Sequence, residues 1–469
     1  HGNEPAGVEG ILAYAADLCG EYGEEVLNSL GAVVLIPAVS VDNLQRFKRN
    51  YTDGVNPNRD LLSLGHEDSQ KEAYVYNLFM PTVRVDCHED TSGTNGIDES
   101  DYSHNNMADV CFQYTGVPNT PLTDIAGMID GTNPLLTQGR RSMVYDLIDR
   151  VSEVGLRGAL YQWSYYHPGT SDAYGAIRGS YGILIEVMRI WSGKSHYDRA
   201  VWAMSQGLKA VTAEIIEADG AMSKEVAEAR AAAAVTTFDP NNVFVTAMVT
   251  GQSGLNEQGP YPSVYLDGTW KDANYIRTYN RFDTATAYRS MPTAYVLPAD
   301  TSNIDAILEK IGAHGLFYTK IQAGSTLTLR RYTLAEQISC SEAESVTFPN
   351  GAYVFLTDTS DSYLMAYLFE PDSYTASDTD ASLYQMGLLS SSNTLYRSET
   401  DYMRMIIADM TEKDAVAGDC NGDSIVNLAD VLTALRALVN GAYLPAADLN
   451  GDGIISLSDI LKLLRLCAG

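Results

Sequence analysis

The chain has 469 residues, 45% apolar and 19% charged, a balance that belongs to folded globular protein and excludes disorder. Its 60 acidic residues outnumber 31 basic ones for a net charge of −29, which excludes nucleic acid and anionic membrane as partners, because phosphates must be met by Lys and Arg. No run of about 18 apolar residues exists, so no membrane-spanning helix is expected.

Solubility alone accounts for the acidic surface, which also suits an extracellular protein that collects calcium. The length predicts more than one domain. Six cysteines occur without a Cys-x-x-Cys pair, so a thiolate zinc knot is not expected. Cys420 and Cys467 flank one small C-terminal unit and can pair there; six free, buried thiols are the alternative.

The chain opens on His1-Gly2-Asn3-Glu4, a His and a Glu three positions apart that can reach one metal ion. Beginning in mid-motif, with no initiator Met or leader, it is expected to be a fragment of a longer chain, so the missing signal says nothing against secretion. Residues 5–30 carry apolar side chains at three- and four-residue spacing and predict helix. Ala32-Val-Val-Leu-Ile36 predicts a short buried strand, stopped by Pro37. Residues 38–70 predict loop, with Asp53-Gly54 and Asn56-Pro57 as turn signals.

Val83–Cys87 predicts a second strand with His88-Glu89-Asp90 at its end, followed by a polar loop over 90–106. Tyr181–Glu186 predicts a third strand. Alternating helices and buried strands indicate an α/β domain with a parallel or mixed sheet, whose ligands bind at strand ends. His88 and Glu186 both fall there. Residues 196–234 predict helix.

Strands are expected at 292–298, 327–332 and 352–356 and a helix at 304–314. This gives a first α/β domain over 1–290, a smaller α/β accessory domain over 291–372, a linker over 373–416 and a last unit over 417–469.

That last unit holds a repeat. Asp419, Asn421, Asp423, Ile425, Asn427 and Asp430 stand at positions 1, 3, 5, 7, 9 and 12 of one loop. Asp448, Asn450, Asp452, Ile454, Ser456 and Asp459 repeat them, with Ile425 and Ile454 offering backbone carbonyls. Oxygen donors at this density suit Ca²⁺, two ions in all. Each loop leads into an apolar helix, and position 12 is Asp where the usual EF-hand has Glu. The duplicated pattern over 417–467 resembles the dockerin module of bacterial cellulosomes. That resemblance implies an all-α calcium-binding unit, a cohesin partner on a scaffoldin and an extracellular, scaffold-associated location. It centres recognition on the two residues after position 9, here Leu428-Ala429 and Leu457-Ser458.

Catalytic zinc takes three protein ligands and keeps a fourth place open. The ordered set His1-Gly-Asn-Glu4, Arg46-x-x-Arg49, Asn58-Arg59, Asp86-Cys-His88, Tyr166 and Glu186 resembles the zinc carboxypeptidase (funnelin) family over residues 1–190. The resemblance implies a mixed-sheet fold lacking its first strands here, with His1, Glu4 and His88 on zinc and Glu186 as general base and acid. It implies Arg46 at the oxyanion, with Arg49 as rival. Asn58, Arg59 and Tyr166 would grip the free C-terminus of a peptide substrate, Tyr165 and Tyr174 being rivals of Tyr166. The specificity position falls near Ser171. His66, His104, His167, His196 and His314 read as ordinary surface or satisfied histidines. The other class of function considered is a catalytically degenerate peptide- or cell-wall-binding protein displayed on the scaffold. A glycan hydrolase has no support, since no carboxylate pair stands at readable spacing.

Overall fold

The computed structural model describes residues 1–90, 109–115, 138–156, 158–160, 168–188, 194–264, 270–334, 338–373, 375–376, 379–411, 418–421, 425–450 and 454–467. The polar stretch expected after Asp90 lies outside them, as does Tyr166.

The helical pattern of residues 5–30 resolves into α1 (Pro5–Leu18) and α2 (Glu21–Leu30), broken at Cys19-Gly20. Ala32–Ile36 corrects the expectation of a buried strand. It has no ladder partner among the described residues, and Ala32, Val34 and Ile36 are exposed while Val33 and Leu35 turn inward. A short apolar run favours extended backbone, but a strand also needs a hydrogen-bonded neighbour. The loop expected over 38–70 is likewise corrected. It contains α3 (Val41–Arg46), a single 3-10 turn at Pro57–Arg59 and the start of α4 (Glu67–Phe79).

The next elements are β1 (Val83–Asp90), β2 (Val110–Thr115), α5 (Gln138–Glu153), β3 (Gly158–Leu160), α6 (Ser171–Ile177) and β4 (Tyr181–Met188). Their sheet runs β1-β4-β2-β3 and is mixed: β1 is parallel to β4, β4 antiparallel to β2, β2 parallel to β3. Period-two alternation splits β4 between two faces. Tyr181, Ile183, Ile185 and Val187 join a core with α1, α5, α7 (Lys194–Glu217) and α8 (Ala221–Ala233). The helical span expected over 196–234 is thus two helices. Gly220 parts them at φ 80°, which glycine adopts without strain. On the opposite face Arg84, Asp86 and His88 of β1 lie beside Leu184 and Glu186 of β4.

A long antiparallel ribbon follows, β5 (Val243–Val264) with β6 (Trp270–Ser290). The second sheet draws on β7 (Ala294–Pro298), β8 (Thr319–Ile321), β9 (Ser325–Thr333), β10 (Ser339–Cys340), β11 (Glu344–Phe348) and β12 (Ala352–Leu356), with α9 (Ile304–Ala313) between β7 and β8 in the chain. Then come α10 (Ser362–Phe369), the short pair β13 (Thr375–Ala376) and β14 (Thr379–Asp380), and β15 (Tyr396–Ser398). Strand order is β10-β9-β15-β7-β12-β8, with β11 on β9. Sheet position puts β15, from beyond residue 372, between β9 and β7.

One buried cluster joins Leu61, Leu62, Tyr76, Tyr174 and Ile177 to Tyr295, Ile307, Phe355 and Phe369. Across it the fully buried Arg178 donates through Nε to Asp361 at 2.7 Å. The core therefore continues across residue 290.

After α11 (Met403–Ala408) the chain ends in α12 (Leu428–Val439) and α13 (Leu457–Cys467), which share a small core with Cys420. All six cysteines are free, so the pairing considered for Cys420 and Cys467 is absent although both touch that core.

Candidate metal centre and calcium loops

Glu4 caps the start of α1, and its amide donates to the His1 carbonyl at 3.0 Å, closing a turn that folds His1 back over Glu4. Gly2 sits inside this turn against α3. A Cβ there would lie 2.1 Å from the Asn43 carbonyl carbon, so only glycine lets the turn approach. β1 supplies His88 from the adjoining strand end.

One ligand atom each from His1, Glu4 and His88 lies within 4.8 Å of the others. His1 Nδ1 is 2.7 Å from Glu4 Oε1, and His88 Nδ1 is 2.7 Å from Glu4 Oε2. The opposite ring nitrogens are held from behind: His1 Nε2 lies 2.8 Å from Asn56 Oδ1 and His88 Nε2 3.0 Å from Asp86 Oδ1. Metal-binding histidines are oriented in this way, by an oxygen on the far ring nitrogen. Two imidazoles and a carboxylate converging on one point fit zinc.

Charge is concentrated here. Burial pushes the Glu4 carboxyl up, but the positive charge around it, with His88 and Arg49 among its sources, outweighs burial and holds it below the ordinary 4.5. Burial pulls His88 down, and Asp86 and Glu4 overcome it to lift His88 to about 10. Burial also raises Asp86, and His88, Asn58 and Arg84 hold it below the ordinary value. The site therefore stabilises positive charge between buried carboxylates.

Glu186 is opposite His88 in the β1–β4 register. The two arginines expected to compete have separated. Arg49 Nη1 donates to Glu4 Oε1 at 2.9 Å, whereas Arg46, expected at the oxyanion, is exposed and donates to the Asp42 carbonyl at 3.2 Å and to Asn43. The left-handed Phe47 ending α3 turns the chain between them.

Asn58, expected on substrate, is engaged with protein. Its Nδ2 donates to Asp86 Oδ2 at 2.9 Å, and its Oδ1 accepts the Ser171 amide at 2.7 Å. Arg59 follows it and donates to the Asn58 carbonyl at 2.6 Å. Ser171, expected near the specificity position, begins α6. It accepts from Arg84 Nε at 3.0 Å and donates to Glu72 at 2.7 Å, and Arg84 also pairs with Glu72. Tyr174, given as a rival of Tyr166, is fully buried with its hydroxyl 3.0 Å from His314 Nδ1. His314 is satisfied, as expected, with Nε2 at 3.0 Å from the Leu62 carbonyl.

The cluster borders a cavity of about 540 Å³, lined also by Val83–Cys87 of β1, by Val33–Ile36 and by Ser171. Sequence reasoning missed Asn56 and Asp86. Both had a signal: each stands two residues before a named candidate, Asn58 and His88, and period two places Asp86 on the His88 side of β1.

In the C-terminal unit Asp430 and Asp459 are fully buried. Asp430 Oδ1 accepts the amides of Cys420 and Asn421 at 2.7 and 3.1 Å, and its Oδ2 accepts that of Asn427 at 2.7 Å. Asp459 accepts the Asn450 amide at 3.1 Å and the Ser456 amide at 3.0 Å. Position 12 thus reaches back to the amide of position 3 in both loops and fixes the loop backbone from inside. The carboxylate, amide and hydroxyl oxygens at positions 1, 3, 9 and 12 are the donor types a hard cation takes. Asp423 and Asp452 lie outside the described residues. Leu428 and Leu457 are 64% and 68% exposed at the starts of α12 and α13.

Residues 417–466 match the dockerin type I domain family. Such domains bind calcium and dock on cohesins, the attachment used in cellulosome-type assemblies. Among curated proteins, the chain is 32% identical over 95 residues to a protein named probable carboxypeptidase 2 of Arthroderma benhamiae. The same figures hold for carboxypeptidase 2 of Trichophyton tonsurans and of Trichophyton rubrum. The match takes in 20% of this chain and 18% of each relative, so the chain spans less than a fifth of their length. No solved structure matches the chain.

Proposed function

We propose that the chain is a secreted zinc metallocarboxypeptidase, carried on a cellulosome-type scaffold by its dockerin. The observation that carries this reading is the convergence of His1, Glu4 and His88 within 4.8 Å, with Glu186 in register beside His88. The names of the short-range relatives point the same way.

His1, Glu4 and His88 hold the ion, which when bound supplies Lewis acidity toward water and a peptide carbonyl. Asn56 and Asp86 keep the two imidazoles oriented. Glu186 accepts a proton from the attacking water and returns it to the leaving amine. Arg59 receives the substrate's terminal carboxylate, which is why a free C-terminus is required: without it that charge lacks its partner. Tyr166 and Arg46 are assigned to substrate and oxyanion by likeness, while Arg49 donates to Glu4 of the cluster. Dockerin residues Asp419, Asn421, Asp423, Ile425, Asn427 and Asp430 hold one calcium, and Asp448, Asn450, Asp452, Ile454, Ser456 and Asp459 hold the other. The exposed Leu428-Ala429 and Leu457-Ser458 meet the cohesin.

The test is release of C-terminal residues from a peptide panel by zinc-loaded protein. Glu186→Gln abolishes release with zinc still bound if the reading holds. Undiminished turnover in that variant overturns the mechanism, and tight peptide binding without release by the parent chain identifies a binding protein instead.

A further inference from the structure

The loop that serves both imidazoles and the carboxylate site is tied shut by a histidine outside the metal centre. His66 Nε2 lies 2.9 Å from Asp53 Oδ2, and its Nδ1 lies 3.1 Å from Asp60 Oδ2. Its ring stacks on Tyr51 with centroids 4.0 Å apart and planes 17° apart. Asp53 and Asp60 stand at the two ends of a loop that carries Asn56, Asn58 and Arg59. Asp53 Oδ1 holds the Val55 amide at 3.1 Å. Asp60, nearly fully buried, collects Ser63, the amides of Gly65 and His66, and Ser69.

A neutral imidazole has one donor nitrogen and one acceptor nitrogen. Two carboxylates on opposite ring nitrogens are satisfied only by the imidazolium, which donates to both. Loss of that proton turns one contact into lone pair against carboxylate. Stacking on the electron-rich Tyr51 face also favours the cation.

We propose that His66, as imidazolium, is a positioning residue that clasps residues 53–60 in the form presenting Asn56, Asn58 and Arg59 to the site, and that the clasp opens as pH rises. This deepens the carboxypeptidase reading and rests on it for its catalytic consequence, though not for the clasp itself.

The groups facing His66 are consistent with this sense. Burial draws its pKa down, and the bonds to Asp53 and Asp60 outweigh burial and raise it above 6.5. Asp68 lies near Tyr51, on the same side of the balance. Lys310 of α9 acts in the opposing sense on Asp60, whose charge it feels, and donates to the carbonyls of Ser63 and Leu64. The ring is a quarter exposed, so solvent protons reach it.

The experiment is hydrogen exchange by mass spectrometry over residues 51–66 at pH 6 and pH 9, corrected for intrinsic rates, on the full chain and on His66→Gln and His66→Arg. A charge-assisted bond at each end predicts roughly tenfold loss of protection from pH 6 to pH 9 in the parent chain. His66→Gln is poorly protected at both values, and His66→Arg, whose cation does not titrate in this range, stays protected at both. With a peptide substrate, kcat/KM falls by a similar factor at pH 9, and His66→Arg removes the fall. Equal protection of the parent chain at both pH values, or an unchanged pH dependence in His66→Gln, overturns the clasp. If His66→Gln does not fold, the parent and His66→Arg decide. Exchange needs no turnover, so absent peptide release counts against the carboxypeptidase reading alone.

Discussion

His88 and Glu186 stand side by side on parallel neighbouring strands, paired in the β1–β4 register. Residues so paired share a face, with strands about 4.8 Å apart. Glu186 is therefore held relative to His88 by a ladder from Val83↔Tyr181 to Asp90↔Met188, and no flexible loop intervenes. Shortening the side chain withdraws the carboxylate without disturbing that ladder. Glu186→Asp is expected to lower kcat by roughly 10²-fold or more, with KM and zinc content unchanged. Metal analysis beside steady-state kinetics checks it, and loss of zinc would show that Glu186 serves the ion.

Asp86 holds the far nitrogen of His88 and also receives Asn58. Asp86→Ala removes both contacts while the three ligand side chains stay in place. Zinc affinity is expected to fall roughly 10–100-fold. Competition with a chromophoric chelator measures this, and an unchanged constant would remove Asp86 from the site.

The site titrates in two directions. Glu4 is held below an ordinary 4.5, so its contribution to stability is present above pH 4.5 and lost as pH falls through the lowered value. His88 is raised to about 10 from 6.5, so its contribution is full below pH 6.5 and lost as pH rises through 10. Zinc-free protein should lose thermal midpoint on both flanks. A zinc ligand must be neutral imidazole, so zinc uptake at pH 7 should release a proton from His88. Calorimetry in buffers of different ionisation enthalpy reads this proton, and its absence would contradict the His88 assignment.

Arg178 and Asp361 tie α6 to the segment entering α10 in a fully buried pair. Asp361→Ala leaves the guanidinium buried without its charge partner and should destabilise the chain by about 3–5 kcal/mol. Urea denaturation measures it. A small change confined to one of two separate transitions would show that the cores on either side of residue 290 melt apart.

Calcium removal should unfold residues 417–467 and abolish cohesin binding, because the gathered carboxylates repel without an ion. Circular dichroism and a cohesin pull-down in excess chelator check both. Cohesin affinity that survives chelation would contradict the calcium assignment.

Legibility in the sequence followed the range of the interaction. The calcium loops were readable because their ligands lie within twelve consecutive positions and the pattern occurs twice. His1 and Glu4 were readable because three positions make one turn, and the β1 and β4 strands because period two is local. Ala32–Ile36 misled for the same reason: an apolar run is local, and a strand partner is not.

What the sequence alone determined is thus a mixed α/β chain with an oxygen-rich repeat and separate stretches of metal-binding residue types. Tertiary structure alone decided which of them meet. It set His88 against Glu186, brought Arg49 instead of Arg46 to Glu4, placed Asn56 and Asp86 behind the imidazoles and drew His66 between two aspartates. Each of these relationships depends on how packed elements bring distant or differently oriented residues together, and that register comes from burial and hydrogen bonding over the whole fold.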